Sequence, residues 1–156
     1  MDELEFKKAA IKKMDVVDLD EVLSIEAWSS LSPWSKKMFT EELMNPLAHC
    51  FIIEHEGIPR QQIIGFICFR DIGGESELLN IAVHPQYRQA GIGKKLMEFY
   101  IDFCTQRQIK KFYLEVNASN LSAIHLYQSF SYQPLGVRKK FYQGDSDALL
   151  MVKKIC

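Results

Sequence analysis

The chain has no C-x-x-C pair and no two histidines four residues apart on a helical face. Cys50, Cys68, Cys104 and Cys156 are widely spaced, and three of them sit in apolar contexts. That is the pattern of reduced thiols in a cytosolic protein, not of a disulfide framework. His49, His55, His84 and His125 stand at no ligand spacing from Cys or Asp, so no metal is expected. Long apolar runs are missing too. The longest covers residues 63–69, far short of the roughly 20 residues that span a bilayer. The opening residues, Met1-Asp2-Glu3-Leu4-Glu5, are acidic and lack the apolar core of a secretory signal. Neither sign of charge dominates: 19 basic residues stand against 20 acidic ones, a net charge of −1. A general nucleic-acid or membrane-surface binder is therefore not expected. Repeats, low-complexity tracts and linkers are also absent. What remains is 156 residues, 47% hydrophobic and 25% charged, which fits one ordinary soluble domain over residues 1–156.

Two phosphate-loop signatures also fail. Gly91 and Gly93 are followed by Leu96, so the third glycine of a dinucleotide loop is lacking. A Walker A loop needs glycine at position 88 and a hydroxyl after the lysine, where Arg88 and Lys95 stand. Around these glycines lies an apolar strand over 78–83, a loop over 84–93, and then Leu96, Phe99, Tyr100, Phe103 and Arg107 at the spacing of one helical face. The first N–H groups of a helix have no internal partners, and the macrodipole adds positive potential there. Glycines at such a mouth uncover those groups for phosphate or pyrophosphate, with Arg88 and Lys94 flanking. The plainer alternative is a glycine-relieved turn with no ligand.

Read in order, residues 9–14 form a first strand. A helix over 22–28 follows, then a break at Ser29-Ser30-Leu31-Ser32-Pro33-Trp34-Ser35, then a helix over 36–44 capped by Ser35. Strands over 50–55 and 62–71 are joined by a turn at 56–60. Gly73-Gly74 leads into a strand over 77–83. The strand over 111–116, reached from the long helix, should lie parallel to the strand before that helix. Asn120 caps a short helix to residue 130, and residues 132–142 and 148–153 form a last hairpin. The fold class is α/β with a mixed sheet, in the order β-α-α-β-β-β-α-β-α-β-β.

Two further residues stand out. Glu115 interrupts the apolar strand Phe112-Tyr113-Leu114-Glu115-Val116. A carboxylate there must be paired, solvated by a cleft, or raised in pKa. It lies near the carboxyl end of a parallel strand, where open sheets bind ligands; a strand-end glutamate in water is the alternative. Tyr127, on the next helix, reads first as a core aromatic with its hydroxyl satisfied at the rim, and such a hydroxyl can also be an acid facing a site.

Taken together, Leu78-Leu79-Asn80-Ile81-Ala82-Val83, Arg88-x-x-Gly91-x-Gly93, Leu114-Glu115-Val116, Ser119-Asn120, Ala123-x-x-Leu126-Tyr127, and Arg138-x-x-Phe141-Tyr142 followed by Asp147-Ala148-x-x-Met151 recur in one order. This sequence resembles the bacterial ribosomal-protein-alanine N-acetyltransferases of the GNAT superfamily from about residue 9 to 151, and Pro33-Trp34-Ser35 matches their loop between the first two helices. The resemblance implies the GNAT fold and acetyl transfer from acetyl-CoA, in the cytoplasm, to the N-terminal α-amino group of a ribosomal protein, with alanine the expected residue. It implies that Ile81, Ala82 and Val83 present backbone groups to the pantetheine and thioester. Gln89, Ala90, Gly91, Ile92, Gly93 and Lys94 would hold the pyrophosphate beside Arg88, and Asn120 would contact CoA. Glu115 would be the general base, Tyr127 the general acid, and Trp34 and Tyr142 acceptor contacts. The sequence departs from the family at Asn117 (usually Arg), at Ser131-Tyr132 (usually Gly-Phe) and at Phe141 (usually Tyr). A GNAT enzyme acting on small amines or lysine side chains, and a CoA-binding module without catalysis, are the alternative readings.

Overall fold

The computed structural model describes residues 9–57, 61–142 and 146–155. The chain divides into two compact units, Met1–Phe69 with Asn80–Leu96, and Arg70–Leu79 with Met97–Cys156.

The first unit opens with strand β1 (Ala9–Lys13) and a 3-10 turn, Val16–Asp18. A capping box sets that turn. Asp15 Oδ1 accepts from the Val16 amide at 2.7 Å, and Asp18 Oδ2 accepts from the Asp15 amide at 2.8 Å. Helix α1 (Leu19–Ser29) therefore starts earlier than the spacing at 22–28 suggests. Helix α2 (Lys36–Met44) is capped as expected, Ser35 Oγ accepting from the Met38 amide at 3.2 Å. Strand β2 (Ala48–His55) pairs antiparallel with β1, Ile11 opposite Ile53. Strand β3 (Gln62–Ile72) is buried from Ile63 to Phe69, which explains its unbroken apolar run: both of its faces are covered. Its turn from β2, expected over 56–60, falls partly on residues 58–60, which lie outside the described residues. The core joins Leu19, Val22 and Ile25 of α1 to Phe39 of α2 and to Ile52, Ile63 and Phe66 of the strands. Each such side chain contributes about 1.5–3 kcal/mol by leaving water. Gly65 has a packing reason: a Cβ there would lie 2.9 Å from the Ala82 carbonyl oxygen of strand β4 (Glu75–Val83). The strand order in this unit is β1-β2-β3-β4.

The second unit begins at the turn into β4, where Gly73 (φ 55°) and Gly74 (φ 83°) adopt left-handed backbone. Helix α3 (Ile92–Thr105) leads to strand β5 (Lys111–Asn117). As expected, β5 runs parallel to β4, with Glu77 opposite Tyr113 and Leu78 opposite Leu114. After helix α4 (Leu121–Ser129), strands β6 (Gln133–Tyr142) and β7 (Ser146–Lys154) close the order β4-β5-β7-β6. All pairs here except β4–β5 are antiparallel. The expected α/β class and element order are therefore observed, with seven strands and four α-helices among the described residues.

Helix α4 ends in a complete Schellman motif. The Tyr132 amide donates to the Tyr127 carbonyl at 3.1 Å and the Ser131 amide to the Gln128 carbonyl at 2.9 Å. The Tyr127 and Tyr132 rings pack 5.9 Å apart as the motif's apolar contact. Ser131 carries the left-handed position at φ 70°, where L-residues other than glycine are strained by about 1 kcal/mol. Tyr132 is 2% exposed, and its buried hydroxyl lies beside the Tyr100 phenol without a hydrogen bond of good geometry, which costs up to about 1–3 kcal/mol. Both departures from the Gly-Phe pattern are thus unfavourable locally. Ser131→Gly and Tyr132→Phe are each expected to raise the thermal midpoint, by about 2–4 °C per kcal/mol in a chain of this size. Calorimetric melting checks this, and a fall with Tyr132→Phe would mean that the hydroxyl is bonded.

Candidate active site

In the first unit, the end of β4 leads into a tight, well-supported loop. The Pro85–Tyr87 segment makes a 3-10 turn capped by His84, whose Nδ1 accepts from the Gln86 amide at 3.1 Å. The His84 ring meets Trp28 at 5.1 Å and Tyr87 at 5.4 Å, both edge-on. Burial, and then the Arg88 guanidinium, hold the His84 imidazole below its ordinary pKa. Tyr87 donates to Gln62 Oε1 at 2.9 Å. Next come two left-handed residues, Gln89 (φ 62°) and Gly91 (φ 81°). The Gly91 carbonyl accepts from the Lys95 amide at 3.0 Å, so Gly91 sits at the mouth of α3. Beyond its chain neighbours, no atom of the described residues lies within 4 Å of where a Gly91 Cβ would be. An open helix start preceded by left-handed backbone is the arrangement that presents amides to an anion. Helix α3 begins at Ile92, which puts Gly93 in its first turn.

Arg88 is exposed and makes two hydrogen bonds from its guanidinium. Its Nε donates to the Val83 carbonyl at 3.3 Å and its Nη2 to Ser29 Oγ at 3.2 Å. These contacts brace the loop against α1. Ile81 and Val83 are half-buried on β4, and Ala82 between them is buried.

In the second unit, β5 alternates cleanly. Phe112, Leu114 and Val116 are buried, while Tyr113, Glu115 and Asn117 are half-buried on the opposite face. Glu115 lines a cavity of about 450 Å³ with Tyr113, Glu75, Glu77, Arg70 and Leu150 among its walls. Its Oε1 is ion-paired with Arg138 Nη2 at 2.9 Å, the two side chains being 27% and 52% exposed. A carboxylate interrupting an apolar strand is thus both paired and open to a cleft. Asn117 ends the strand with an Asx turn, its Oδ1 accepting from the Ser119 amide at 2.9 Å and the Ser119 hydroxyl at 2.7 Å. Asn120 caps α4 as expected, with Oδ1 accepting from the Ala123 amide at 3.3 Å. That leaves its amide nitrogen directed away from the cap. Tyr127 is 6% exposed, so its ring packs in the core. Burial pushes the Cys68 and Cys104 thiols up, that of Cys104 to about 12, so neither is a thiolate nucleophile at neutral pH.

A profile of the acetyltransferase (GNAT) family matches residues 19–132. The protein belongs to the GNAT family. It is an acyltransferase, and acetyltransferases of this family use acetyl-CoA. A putative [ribosomal protein bS18]-alanine N-acetyltransferase of Bacillus subtilis is 37% identical over 146 residues, covering 92% of this chain and 94% of that protein. The [ribosomal protein bS18]-alanine N-acetyltransferase of Escherichia coli strain K12 is 32% identical over 152 residues, covering 93% and 97%. The crystal structure of the ribosomal-protein-S18-alanine N-acetyltransferase from Escherichia coli superposes with a TM-score of 0.86 at 31% identity, over 94% of each chain.

Within this GNAT domain, the candidate residues fall in two groups. Ile81, Ala82, Val83 and residues 88–94 are collected on one continuous strand–loop–helix start in the first unit. Glu115 lies on β5, Asn120 at the cap of α4 and Tyr127 within α4, all in the second. Trp34 is partly committed to packing, its ring 5.1 Å from Phe39. The Tyr142 side chain lies outside the described residues. Among the described residues no group of His, Cys, Asp and Glu is placed to hold a metal ion, and no helix is long and apolar enough to cross a membrane. Sequence reasoning missed Glu26. It is 2% exposed and its Oε2 accepts from the Trp34 amide at 3.0 Å and from Asn80 Nδ2 at 2.7 Å. The signal was present: Leu19, Val22 and Glu26 stand at i, i+3, i+7, which puts a carboxylate on the apolar stripe of α1.

Proposed function

We propose that the protein transfers the acetyl group of acetyl-CoA to the N-terminal α-amino group, that of alanine, of a ribosomal protein in the cytoplasm. The observation that carries this reading is the Glu115 carboxylate on the cavity wall of β5, in a chain 37% identical over 92% of its length to the putative [ribosomal protein bS18]-alanine N-acetyltransferase of Bacillus subtilis. Ile81, Ala82 and Val83 orient the thioester through backbone groups at the end of β4. The amides of residues 89–94 at the open start of α3 receive the pyrophosphate, a role supported by the left-handed Gln89 and Gly91. Arg88 braces that loop through Val83 and Ser29 and, with Lys94, adds charge beside the pyrophosphate. Asn120 has an amide nitrogen to spare for CoA once its oxygen has capped α4.

The chemistry is one direct displacement. An α-amino group has an ordinary pKa of about 7.7–8.0, so much of it is protonated at neutral pH. Glu115, directly or through water, takes that proton. The freed amine nitrogen forms a bond to the acetyl carbonyl carbon. Backbone N–H groups beside Ile81–Val83 stabilise the developing oxyanion. The carbon–sulfur bond breaks, Tyr127 donates its phenolic proton to the leaving thiolate, and the second proton of the attacking nitrogen passes through water to the Tyr127 phenolate. No acyl-cysteine is needed, in keeping with the protonated thiols of Cys68 and Cys104.

The test is a panel of acceptors assayed with acetyl-CoA: peptides beginning with alanine, the same peptides with a blocked N-terminus and free lysines, and polyamines. Acetylation of the alanine peptides, placed on the α-nitrogen by mass spectrometry, is the expected result. Product only on lysine side chains or polyamines would overturn the acceptor assignment.

A further inference from the structure

The last turn of α1 touches the β4–loop segment at regular intervals. Glu26 bonds Asn80, the Trp28 ring meets His84, and Ser29 Oγ accepts from Arg88 while donating to the Ile25 carbonyl at 2.6 Å. Of these, the Glu26 contact is the one in the interior. A carboxylate that is 2% exposed gives up its hydration, and it is retained only where donors replace the water. Both donors converge on the same atom, Oε2. One is the backbone amide of Trp34, in the loop of residues 30–35. The other is the carboxamide of Asn80, the residue immediately before Ile81. Trp34 and Asn80 are far apart in sequence, and each belongs to a segment that the proposed reaction uses: the acceptor-side loop and the strand end that holds the thioester. Stability alone gives little reason for a buried carboxylate here, because an apolar side chain of similar volume fills such a place at no desolvation cost. A single oxygen accepting two charge-assisted hydrogen bonds does, however, set the distance between its two donors within narrow limits.

We infer that Glu26 is a positioning residue: it fixes residues 30–35 relative to the Ile81–Val83 strand end, and so aligns the acceptor amine with the thioester. The inference rests on the N-terminal acetyltransferase reading above. It assigns turnover, rather than acetyl-CoA binding, to this contact.

The experiment compares wild type, Glu26→Leu, Glu26→Gln and Asn80→Ala in steady-state kinetics with an alanine-initiated peptide, alongside calorimetric titration of acetyl-CoA. Glu26→Leu removes the acceptor for both donors. A misplacement of about 1 Å costs on the order of 10²-fold in rate, so kcat is expected to fall by that order while acetyl-CoA affinity stays unchanged. Glu26→Gln restores most of the activity, because one amide oxygen can accept both hydrogen bonds in the same place. Asn80→Ala, a change at a half-buried position, cuts the same contact from the other end and is expected to lower kcat likewise. Full turnover in folded Glu26→Leu or Asn80→Ala overturns the inference, as does acetyl-CoA affinity that falls in step with turnover. A glutamine variant as poor as the leucine one overturns it too. If both Glu26→Leu and Asn80→Ala fail to fold, the contact serves stability and the positioning role is lost. Should wild type be idle on the peptide but active on a polyamine or lysine peptide, the acceptor reading falls, and the same ratios are taken on that acceptor.

Discussion

Glu115→Gln is expected to lower turnover by about 10²–10⁴-fold, the usual contribution of a positioned general base, and to leave acetyl-CoA affinity unchanged. The glutamine keeps the length of the side chain and an oxygen for Arg138, so the β5 face retains its shape. What it loses is the basic lone pair. Arg138 does not stand in the way of this role. Its side chain is 52% exposed and that of Glu115 27%, and pairs as open as this contribute only about 0–1 kcal/mol. An incoming ammonium group therefore competes with the guanidinium at little cost. The measurement is single-turnover acetylation of an alanine-initiated peptide, with acetyl-CoA binding followed by calorimetry. Turnover within a few-fold of wild type would remove Glu115 from the mechanism. Loss of acetyl-CoA binding would move it to the cofactor side.

The second large effect is expected at Tyr127. Tyr127→Phe removes a hydroxyl that matters only as the thiolate departs, so kcat and kcat/KM should fall together, again by about 10²–10⁴-fold for a lost general acid. The substitution is conservative for the fold. The carbonyl of residue 127 still accepts from the Tyr132 amide, and a phenyl ring still packs against Tyr132. The loss should therefore appear with no change in far-ultraviolet circular dichroism. An acceptor with a slower amine would not rescue it, whereas a CoA analogue whose thiol leaves more readily should recover part of the rate. A phenylalanine variant with full activity on the natural thioester would leave the thiolate to be protonated by water.

Some features of this protein are local, and these were legible in the chain alone. The apolar strand, the two glycines and the helical stripe from Leu96 to Phe103 specify a strand–loop–helix start whatever surrounds them, whereas Arg107, expected on the same face, lies past the helix end at Thr105. Ser35 and Asn120 are caps because a short polar side chain before an apolar period accepts from the first free amides. The parallel return of β5 beside β4 follows from the helix between them. The class, the element order and the candidacy of Glu115 came from the same short-range rules.

Other features exist only because distant residues meet. Arg138 reaches Glu115 because β7 lies between β6 and β5, with Ala148 opposite both Arg138 and Asn117. No periodicity announces that pairing. Arg88 reads as a cation for a phosphate, and its bonds to Val83 and Ser29, which use two of its five donors, exist because α1 ends beside the loop. Ser131 gives no warning of its left-handed backbone, which the Schellman closure of α4 imposes on whatever residue stands there. Glu26 reads as an ordinary helix glutamate until the Trp34 amide and the Asn80 carboxamide are brought to one of its oxygens. In each case, the sequence supplies a group able to hydrogen-bond or carry charge. Which partner it finds depends on chain segments brought together by burial of the core, a nonlocal process that spacing along the chain does not encode.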